Sequence, residues 1–198
     1  QISSKTIYRA FTRFDTPEQK RSEGNRGKIP ISHELTDRPV AANNRERLGD
    51  WEADTIVGFN RKSGLLTLVC RKSRFLICEK LTRLGSKEME EAMIEVLGGQ
   101  PVHSITPDRG REFQLHGKVT AALGVEFYFP EPHQPWKRGT NENTNGLLRE
   151  YFPKGYDFRK LSNKDLQAVV DQLNHRPGKC LGYRPPAEVY FSCMLHLA

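Results

Sequence analysis

The chain has 198 residues, of which 36% are hydrophobic, and a formal net charge of +7 at neutral pH. That length suits one α/β domain with an extension, and the charge favours a polyanionic partner, nucleic acid above all, although a merely soluble basic protein has the same balance. The sequence has no signal peptide and no apolar run of about 18 residues, which excludes a transmembrane helix. We therefore expect a soluble, cytoplasmic protein.

The four cysteines lack the spacing of a metal or redox motif. Cys70, Cys78, Cys180 and Cys193 form no C-x-x-C pair, and no set of cysteines and histidines has zinc-finger spacing. We interpret them as reduced thiols in a reducing compartment.

The first 48 residues divide into two parts. In residues 1–14, Ile7, Phe11 and Phe14 have helical spacing after serines that can cap a helix. Residues 15–48 are rich in proline, glycine, asparagine and mixed charge, with little periodicity. This composition predicts a linker or an extended arm.

From residue 49 onward the pattern is regular. Apolar runs predict strands at 51–59, 64–70, 74–81, 102–106 and 125–129. The breaks between the first three runs are short, which favours antiparallel neighbours. Helical patterns predict helices at 86–99, 116–124, 140–152 and 163–174.

This order predicts an α/β fold with a five-stranded mixed sheet and helices on both faces. Three antiparallel strands come first, and two parallel strands follow, each reached through a helix. It is the order of a ribonuclease-H-like fold. Another three-layer α/β sheet is the alternative.

Three acidic residues each have two interpretations. Asp54 lies inside the first strand, where burying an acid is costly unless it is paired or bound to a metal, and a partly exposed strand acid or a salt bridge is the alternative. Asp108 follows the fourth strand at an end where ligands gather in α/β sheets, and its alternative is a turn aspartate. Glu142 lies at the start of a helix, and the alternative to a functional role is an acid that the positive end of the helix favours.

Together the three acids indicate a metal site. A strand acid, an acid at the tip of another strand and an acid beginning a helix can converge at one sheet edge, where carboxylates are suitable ligands for Mg²⁺ or Mn²⁺. Two such ions, about 3.5–4 Å apart, activate the attacking oxygen and stabilise the leaving oxygen in phosphodiester cleavage. The residues by themselves therefore support metal-dependent phosphodiester chemistry.

Four segments carry a family resemblance. They are GDWEADTIVG (49–58), TPDRGREF (106–113), YFPEPHQPWKRGTNENTNGLLREYFPKG (128–155) and LNHRPGKCLGYRPPAEVY (173–190). They resemble the catalytic core of bacterial DDE transposases of the insertion sequence 30 family, which are related to retroviral integrases. The resemblance covers nearly everything from Gly49 to Tyr190.

The resemblance implies a catalytic and metal-binding triad of Asp54, Asp108 and Glu142, with 33 residues between the last two. It implies a DDE transposase that cuts a DNA strand and joins a 3′-hydroxyl to target DNA, using Mg²⁺ or Mn²⁺ as two ions. Ala53 stands where the family often has glycine, and Arg109 where it often has asparagine. Neither departure removes a ligand, although Arg109 adds positive charge beside the metals.

The resemblance also implies partners and domains. The expected partners are the terminal inverted repeats of the element and target DNA, bound by a homodimer or larger assembly because two ends must meet. The bacterial protein would lie in the cytoplasm, associated with the nucleoid when bound to DNA. The segment ISSKTIYRAF resembles the end of a helix-turn-helix region. We therefore predict a remnant of that region at 1–14 and the catalytic core at 49–198.

The expected DNA-binding residues surround the triad. Lys137 and Arg138 are predicted to contact the DNA backbone. Trp136 is predicted to stack on or wedge against a base, with core packing as the alternative. The full predicted set is Arg109, Trp136, Lys137, Arg138, Asn141, Asn145 and Arg149.

Other charged residues are assigned less specifically. The basic residues beside the second and third strands suit either a DNA track or a solvated edge that discourages sheet pairing, and they are Arg71, Lys72, Arg74, Lys80 and Arg83. Glu112 is the next candidate for a metal ligand outside the triad, because it is close to Asp108 in the sequence. Two other functions remain alternatives: a DNA-binding module with a degraded catalytic site, and a ribonuclease-H-like nuclease without strand transfer.

Overall fold

A six-stranded mixed sheet forms the centre of the molecule. The computed structural model describes residues 29–131 and 139–195. The strands are β1 (His33–Glu34), β2 (Asp50–Val57), β3 (Gly64–Cys70), β4 (Leu76–Leu81), β5 (Ser104–Thr106) and β6 (Glu126–Phe129). Their order across the sheet is β1-β6-β5-β2-β3-β4.

The strand directions match the prediction, and the strand count does not. β2, β3 and β4 are antiparallel neighbours, while β5 pairs parallel with β2 and β6 parallel with β5. The predicted count of five is wrong, because β1 adds a sixth strand parallel to β6. A strand of two residues is too short to show the alternation by which strands are predicted.

Six α-helices are present in the described part of the chain. They are α1 (Val40–Asn44), α2 (Ser86–Leu97), α3 (His116–Leu123), α4 (Gly139–Tyr151), α5 (Asn163–His175) and α6 (Pro186–Met194). Four of them, α2 to α5, correspond to the predicted helices. The predicted helix at 1–14 lies outside the described residues. None of the helices in the described ranges is long and apolar enough to cross a membrane.

Residues 29–48 lie within the stretch predicted as a linker or arm, and they pack on the sheet. Leu35, Ala42 and Leu48 are buried. The hydroxyl of Ser32 donates a 2.8 Å hydrogen bond to the carbonyl of Phe127 in β6. The boundary between arm and core at residue 49 stays a prediction.

The sheet separates two hydrophobic clusters, so the predicted helices on both faces are confirmed. Side chains alternate along β2, and Trp51 and Ala53 enter one cluster while Ile56 enters the other. The first cluster contains buried residues of α2, α3 and α6. The second contains residues of α4 and α5, among them Leu148 and Val170. Asp54 has the same strand parity as Ile56 and therefore belongs to the face that α4 covers.

Candidate active site

Asp54, inside β2, and Asp108, two residues beyond the end of β5, lie at corresponding positions of the parallel β2–β5 register. The register pairs Glu52 of β2 with Thr106 of β5, the last pair between these strands. Each aspartate comes two residues after its member of that pair. Because the strands are parallel, both carboxylates belong to the same edge of the sheet, which is where ligands bind in open α/β sheets.

Helix α4 is attached to β2 at three points along its length. The backbone N–H of Asn141 donates to Glu52 Oε2 at 3.2 Å. One turn later, Asn145 Nδ2 donates to the carboxylate of Asp54. After another turn, Arg149 Nη2 donates to the carbonyl of Val57 at 2.9 Å. The spacing of four residues places these groups on one helical stripe, so α4 lies along the strand that carries Asp54.

Glu142 lies in the first turn of α4, next to the residue that contacts Glu52. It is exposed, as expected for an acid that the positive end of a helix favours. It is also three residues before Asn145, a spacing that makes two helical side chains neighbours. Glu142 is therefore about one helical turn from the amide that contacts Asp54.

The carboxylate of Asp54 accepts hydrogen bonds from a backbone group and from a side chain of α4. Its Oδ1 accepts the backbone N–H of Thr55 at 2.8 Å, and its Oδ2 accepts Asn145 Nδ2 at 2.9 Å. The hydroxyl of Thr67 donates to Asn145 Oδ1 at 3.1 Å. This second bond fixes which end of the amide faces the aspartate.

Asp108 lies in a tight loop with a second acid beside it. Its Oδ1 accepts the backbone N–H of Gly110 at 2.8 Å. A Cβ at Gly110 would lie 2.7 Å from that same oxygen and closer still to the carboxylate of Glu112. Any other residue at this position would have to displace one of the two carboxylates. Glu112, the next candidate ligand outside the triad, is thus close to Asp108.

A buried ion pair supports the start of α4. Glu52 and Arg71 form a side-chain ion pair in which neither side chain is more than 5% exposed. Arg71 Nε also donates to the carbonyl of Ala42 at 2.9 Å. Burial lowers the pKa of the Arg71 guanidinium. Both sequence interpretations of Arg71, a DNA track or a solvated edge, are wrong, because its side chain is enclosed.

The remaining predicted DNA contacts differ in what surrounds them. Arg109 Nε donates to the carbonyl of Pro130 at 2.6 Å, and its Nη2 forms a 2.9 Å ion pair with Glu34 of β1, so its charge is partly compensated. Asn141 is fully buried, and its side-chain amide has no hydrogen-bond partner among the described residues. Such burial does not favour a DNA contact by Asn141. Three further predicted contacts, Trp136, Lys137 and Arg138, lie outside the described residues.

The chemistry of the three acids fits a hard divalent cation. Carboxylate oxygens are the ligands that Mg²⁺ and Mn²⁺ prefer. Within 29–131 and 139–195, however, no three histidine, cysteine, aspartate or glutamate side chains are gathered closely enough to hold a metal ion. The structure thus brings Asp54 and Asp108 to one edge and Glu142 to the adjoining helix, and the metal site stays a prediction.

The fold defines a class of protein. The catalytic core domain of BIV integrase matches with a TM-score of 0.59 and 17% sequence identity, over 74% of this chain and 96% of that domain. A chain of the simian T-cell lymphotropic virus intasome matches with a TM-score of 0.60 and 18% identity, over 84% of this chain and 60% of that one. The fold is therefore that of an integrase catalytic core, and the predicted ribonuclease-H-like fold is confirmed.

The sequence is similar to those of bacterial transposases. The chain is 41% identical over 169 residues to the transposase for insertion sequence element IS4351 of Bacteroides fragilis, covering 83% of this chain and 51% of the relative. It is 39% identical over 209 residues to the IS1086 transposase of Cupriavidus metallidurans, covering 95% and 62%. It is 40% identical over 172 residues to transposase InsI of IS30A from Escherichia coli, covering 84% and 45%.

The chain is thus related to the transposases of IS30-type insertion sequences, and the resemblance inferred from the motifs is confirmed. It spans about half the length of these relatives. No protein-family model matches it.

Proposed function

We propose that this chain is the catalytic core of a DNA transposase that cuts a DNA strand and joins the resulting 3′-hydroxyl to target DNA. Its relatives are transposases, and its fold is that of integrase catalytic cores. The observation that carries the proposal is the hydrogen bond that attaches α4 to Asp54 through Asn145. Asp108 lies at the position that corresponds to Asp54 in the parallel register of β2 and β5. That arrangement brings the helix of Glu142 to the edge where both aspartates lie.

In this proposal Asp54, Asp108 and Glu142 hold Mg²⁺ or Mn²⁺. When bound, two ions supply a nucleophilic oxygen and stabilise the leaving oxygen of the phosphodiester. The protein's own task is positioning. Asn145 holds the carboxylate of Asp54 in one orientation, and Glu52 holds the start of α4.

The substrates follow from the same proposal. The terminal inverted repeats and target DNA approach the edge of the two aspartates, where Arg149 of α4 supplies positive charge. A homodimer or larger assembly brings two ends together. The family resemblance alone assigns residues 1–14 to the remnant of a helix-turn-helix region and residues 49–198 to the catalytic core, to whose sheet residues 33–34 add a strand.

The test combines metal binding with DNA joining. Isothermal titration with Mg²⁺ or Mn²⁺ is expected to show binding by the wild-type chain and loss of binding by Asp54→Asn. A joining assay with pre-cut element ends is expected to show Mg²⁺-dependent strand transfer. DNA binding without metal binding would indicate a DNA-binding module with a degraded site, and cleavage without joining would indicate a nuclease.

A further inference from the structure

A basic pocket lies on the other side of α4 from Glu142. Its volume is about 490 Å³, and four cations line it: Arg45, Arg74, Arg176 and Lys179. None of the described residues that line the pocket is acidic. A concave surface lined by charges of one sign concentrates the electrostatic field, and here that field attracts an anion. We call this group of residues the basic pocket.

The four cations come from separate parts of the chain. Arg45 follows α1, Arg74 lies in the turn between β3 and β4, and the other two follow α5. Arg45 and Arg74 have φ of 60° and 62°, a left-handed backbone conformation that is uncommon for residues with a side chain. Two irregular turns therefore direct arginines to one place, although no sequence motif links them.

The electrostatics of the pocket favour an anion. Burial, and then the neighbouring charge of Arg45, lower the pKa of Arg74. Neither arginine forms an ion pair with a carboxylate of a described residue, and nor does Lys179. Arg176 has only a weak contact, 3.8 Å from Glu150, in which both side chains are exposed. Within the described ranges, the positive charge of the pocket is therefore largely uncompensated.

The floor of the pocket is apolar and its wall is α4. Leu76, Leu147, Leu173 and Leu181 line it. Two residues of α4 line the pocket, Thr140 and Asn143, and they flank Asn141 and Glu142 in the sequence. The hydroxyl of Thr140 accepts a hydrogen bond from Arg74 Nη1. An α-helix with its side chains is about 10 Å across, so the pocket is about one helix width from the edge of the aspartates.

We propose that the basic pocket binds the phosphodiester backbone of DNA, with phosphate oxygens on the arginine and lysine side chains and deoxyribose against the leucines. The planar guanidinium group suits phosphate because it donates two parallel hydrogen bonds. DNA is favoured over an acidic peptide because the pocket shares α4 with the site of the proposed function, on which this inference rests. Of its four cations, Arg74 is a candidate for a DNA track from the sequence, and the other three are not among the predicted DNA contacts.

Cys180 makes the pocket measurable. It is exposed and lines the pocket, whereas Cys70 and Cys78 are buried and burial raises the pKa of Cys78. In a Cys193→Ser protein, maleimide labelling of Cys180 is expected to slow by about tenfold or more under saturating duplex DNA without metal. The matched control is Cys180→Ser, in which Cys193 on α6 is labelled, and there DNA should change the rate by less than about twofold.

A charge test uses only exposed residues. The double variant Arg176→Gln/Lys179→Gln is expected to bind DNA about tenfold more weakly. The slope of log K against log salt concentration should become shallower by the amount that about two phosphate contacts contribute. The matched control, Lys87→Gln/Lys118→Gln, removes two exposed cations from α2 and α3 and should leave both quantities nearly unchanged. Equal losses in the two proteins would overturn the proposal.

Two further outcomes separate this inference from the proposed function. Protection of Cys180 by polyglutamate as strong as that by DNA would overturn the DNA assignment in favour of an acidic polypeptide. If DNA protects Cys180 and the double variant loses affinity, but no metal supports cleavage by the wild-type chain, the pocket stands and the catalytic proposal fails. Unprotected Cys180 in a chain that cleaves DNA overturns the pocket alone.

Discussion

The amide of Asn145 donates a 2.9 Å hydrogen bond to the carboxylate of Asp54. The two residues are 91 positions apart, one on α4 and the other on β2. Thr67, on β3, fixes the amide by donating to its oxygen. The bond therefore connects the aspartate at the sheet edge with the helix that carries Glu142, and it sets the orientation of Asp54.

Asn145→Ala is expected to lower the rate of DNA cleavage by about tenfold or more while reducing the free energy of unfolding by about 1 kcal/mol, the usual contribution of one hydrogen bond. The loss should fall mainly on kcat, because the change misorients Asp54 without removing a DNA-binding cation. Steady-state cleavage kinetics and a denaturant titration measure both effects. Gln167→Ala, which removes an exposed amide from α5, is the control. A wild-type value of kcat in the folded Asn145→Ala protein would show that Asn145 does not position Asp54 for cleavage.

Asp54→Asn and Asp108→Asn are each expected to abolish Mg²⁺-dependent cleavage while the fold is retained. A neutral amide is a poor ligand for a hard cation, and both aspartates are proposed as shared ligands. Circular dichroism and thermal melting check the fold, and a cleavage assay with pre-formed element ends checks the activity. Normal cleavage by either folded variant contradicts the assignment of that aspartate.

Gly110→Ala is expected to reduce cleavage far more than stability. The backbone φ of Gly110 is −68°, so alanine introduces no backbone strain. The new Cβ would lie 2.7 Å from Asp108 Oδ1 and must displace that carboxylate or the carboxylate of Glu112. Cleavage kinetics and melting measure the two effects. Gly117→Ala in α3, where a Cβ has nothing within 4 Å, is the matched control. Equal activity of the two variants would mean that alanine is accommodated by movement of Glu112 and that the loop does not depend on glycine to place Asp108.

Most of the sheet was predictable because its longer strands are apolar or alternating runs bounded by short breaks. β2, β3 and β4 are long enough to show their pattern, and their short connections indicate antiparallel pairing. β1 and α1 have two and five residues and therefore show no period. α6 was missed although Pro186 in its first turn is a common helix-start signal.

The candidate site was predictable by residue type and not by contact. The motifs single out Asp54, Asp108 and Glu142, but no local pattern shows that Asn145 reaches the first of them. The enclosure of Glu52 with Arg71 was also missed, since residues of these types are mostly exposed unless they are paired. Such pairing depends on which strands become neighbours, and that is a property of the whole fold.

Arg71→Met is expected to destabilise the protein by about 3–5 kcal/mol, because it leaves the buried carboxylate of Glu52 without its partner. It also releases the backbone of Ala42 and loosens the start of α4. A denaturant titration of the metal-free protein measures the effect. Lys62→Met, at an exposed position, is the control and should change stability by no more than about 0.5 kcal/mol. A similar small change in Arg71→Met would show that the ion pair is dispensable.

If Glu142 completes a metal site with Asp54 and Asp108, the Mg²⁺-dependent cleavage rate of Glu142→Gln must change. An acid that serves only the helix end would lose at most about 1 kcal/mol of stability and no activity on this change. A third ligand is expected instead to leave metal-free stability equal or slightly higher, since a carboxylate repelled by the aspartates is removed.

In Mg²⁺, cleavage by Glu142→Gln is expected to fall by about a hundredfold or more, with partial recovery in Mn²⁺, which accepts amide ligands more readily. Glu150→Gln, an exposed acid on the same helix, is the matched control and should cleave normally. Full Mg²⁺ activity in a well-folded Glu142→Gln protein would contradict the account and make Glu112 the next candidate for the third ligand.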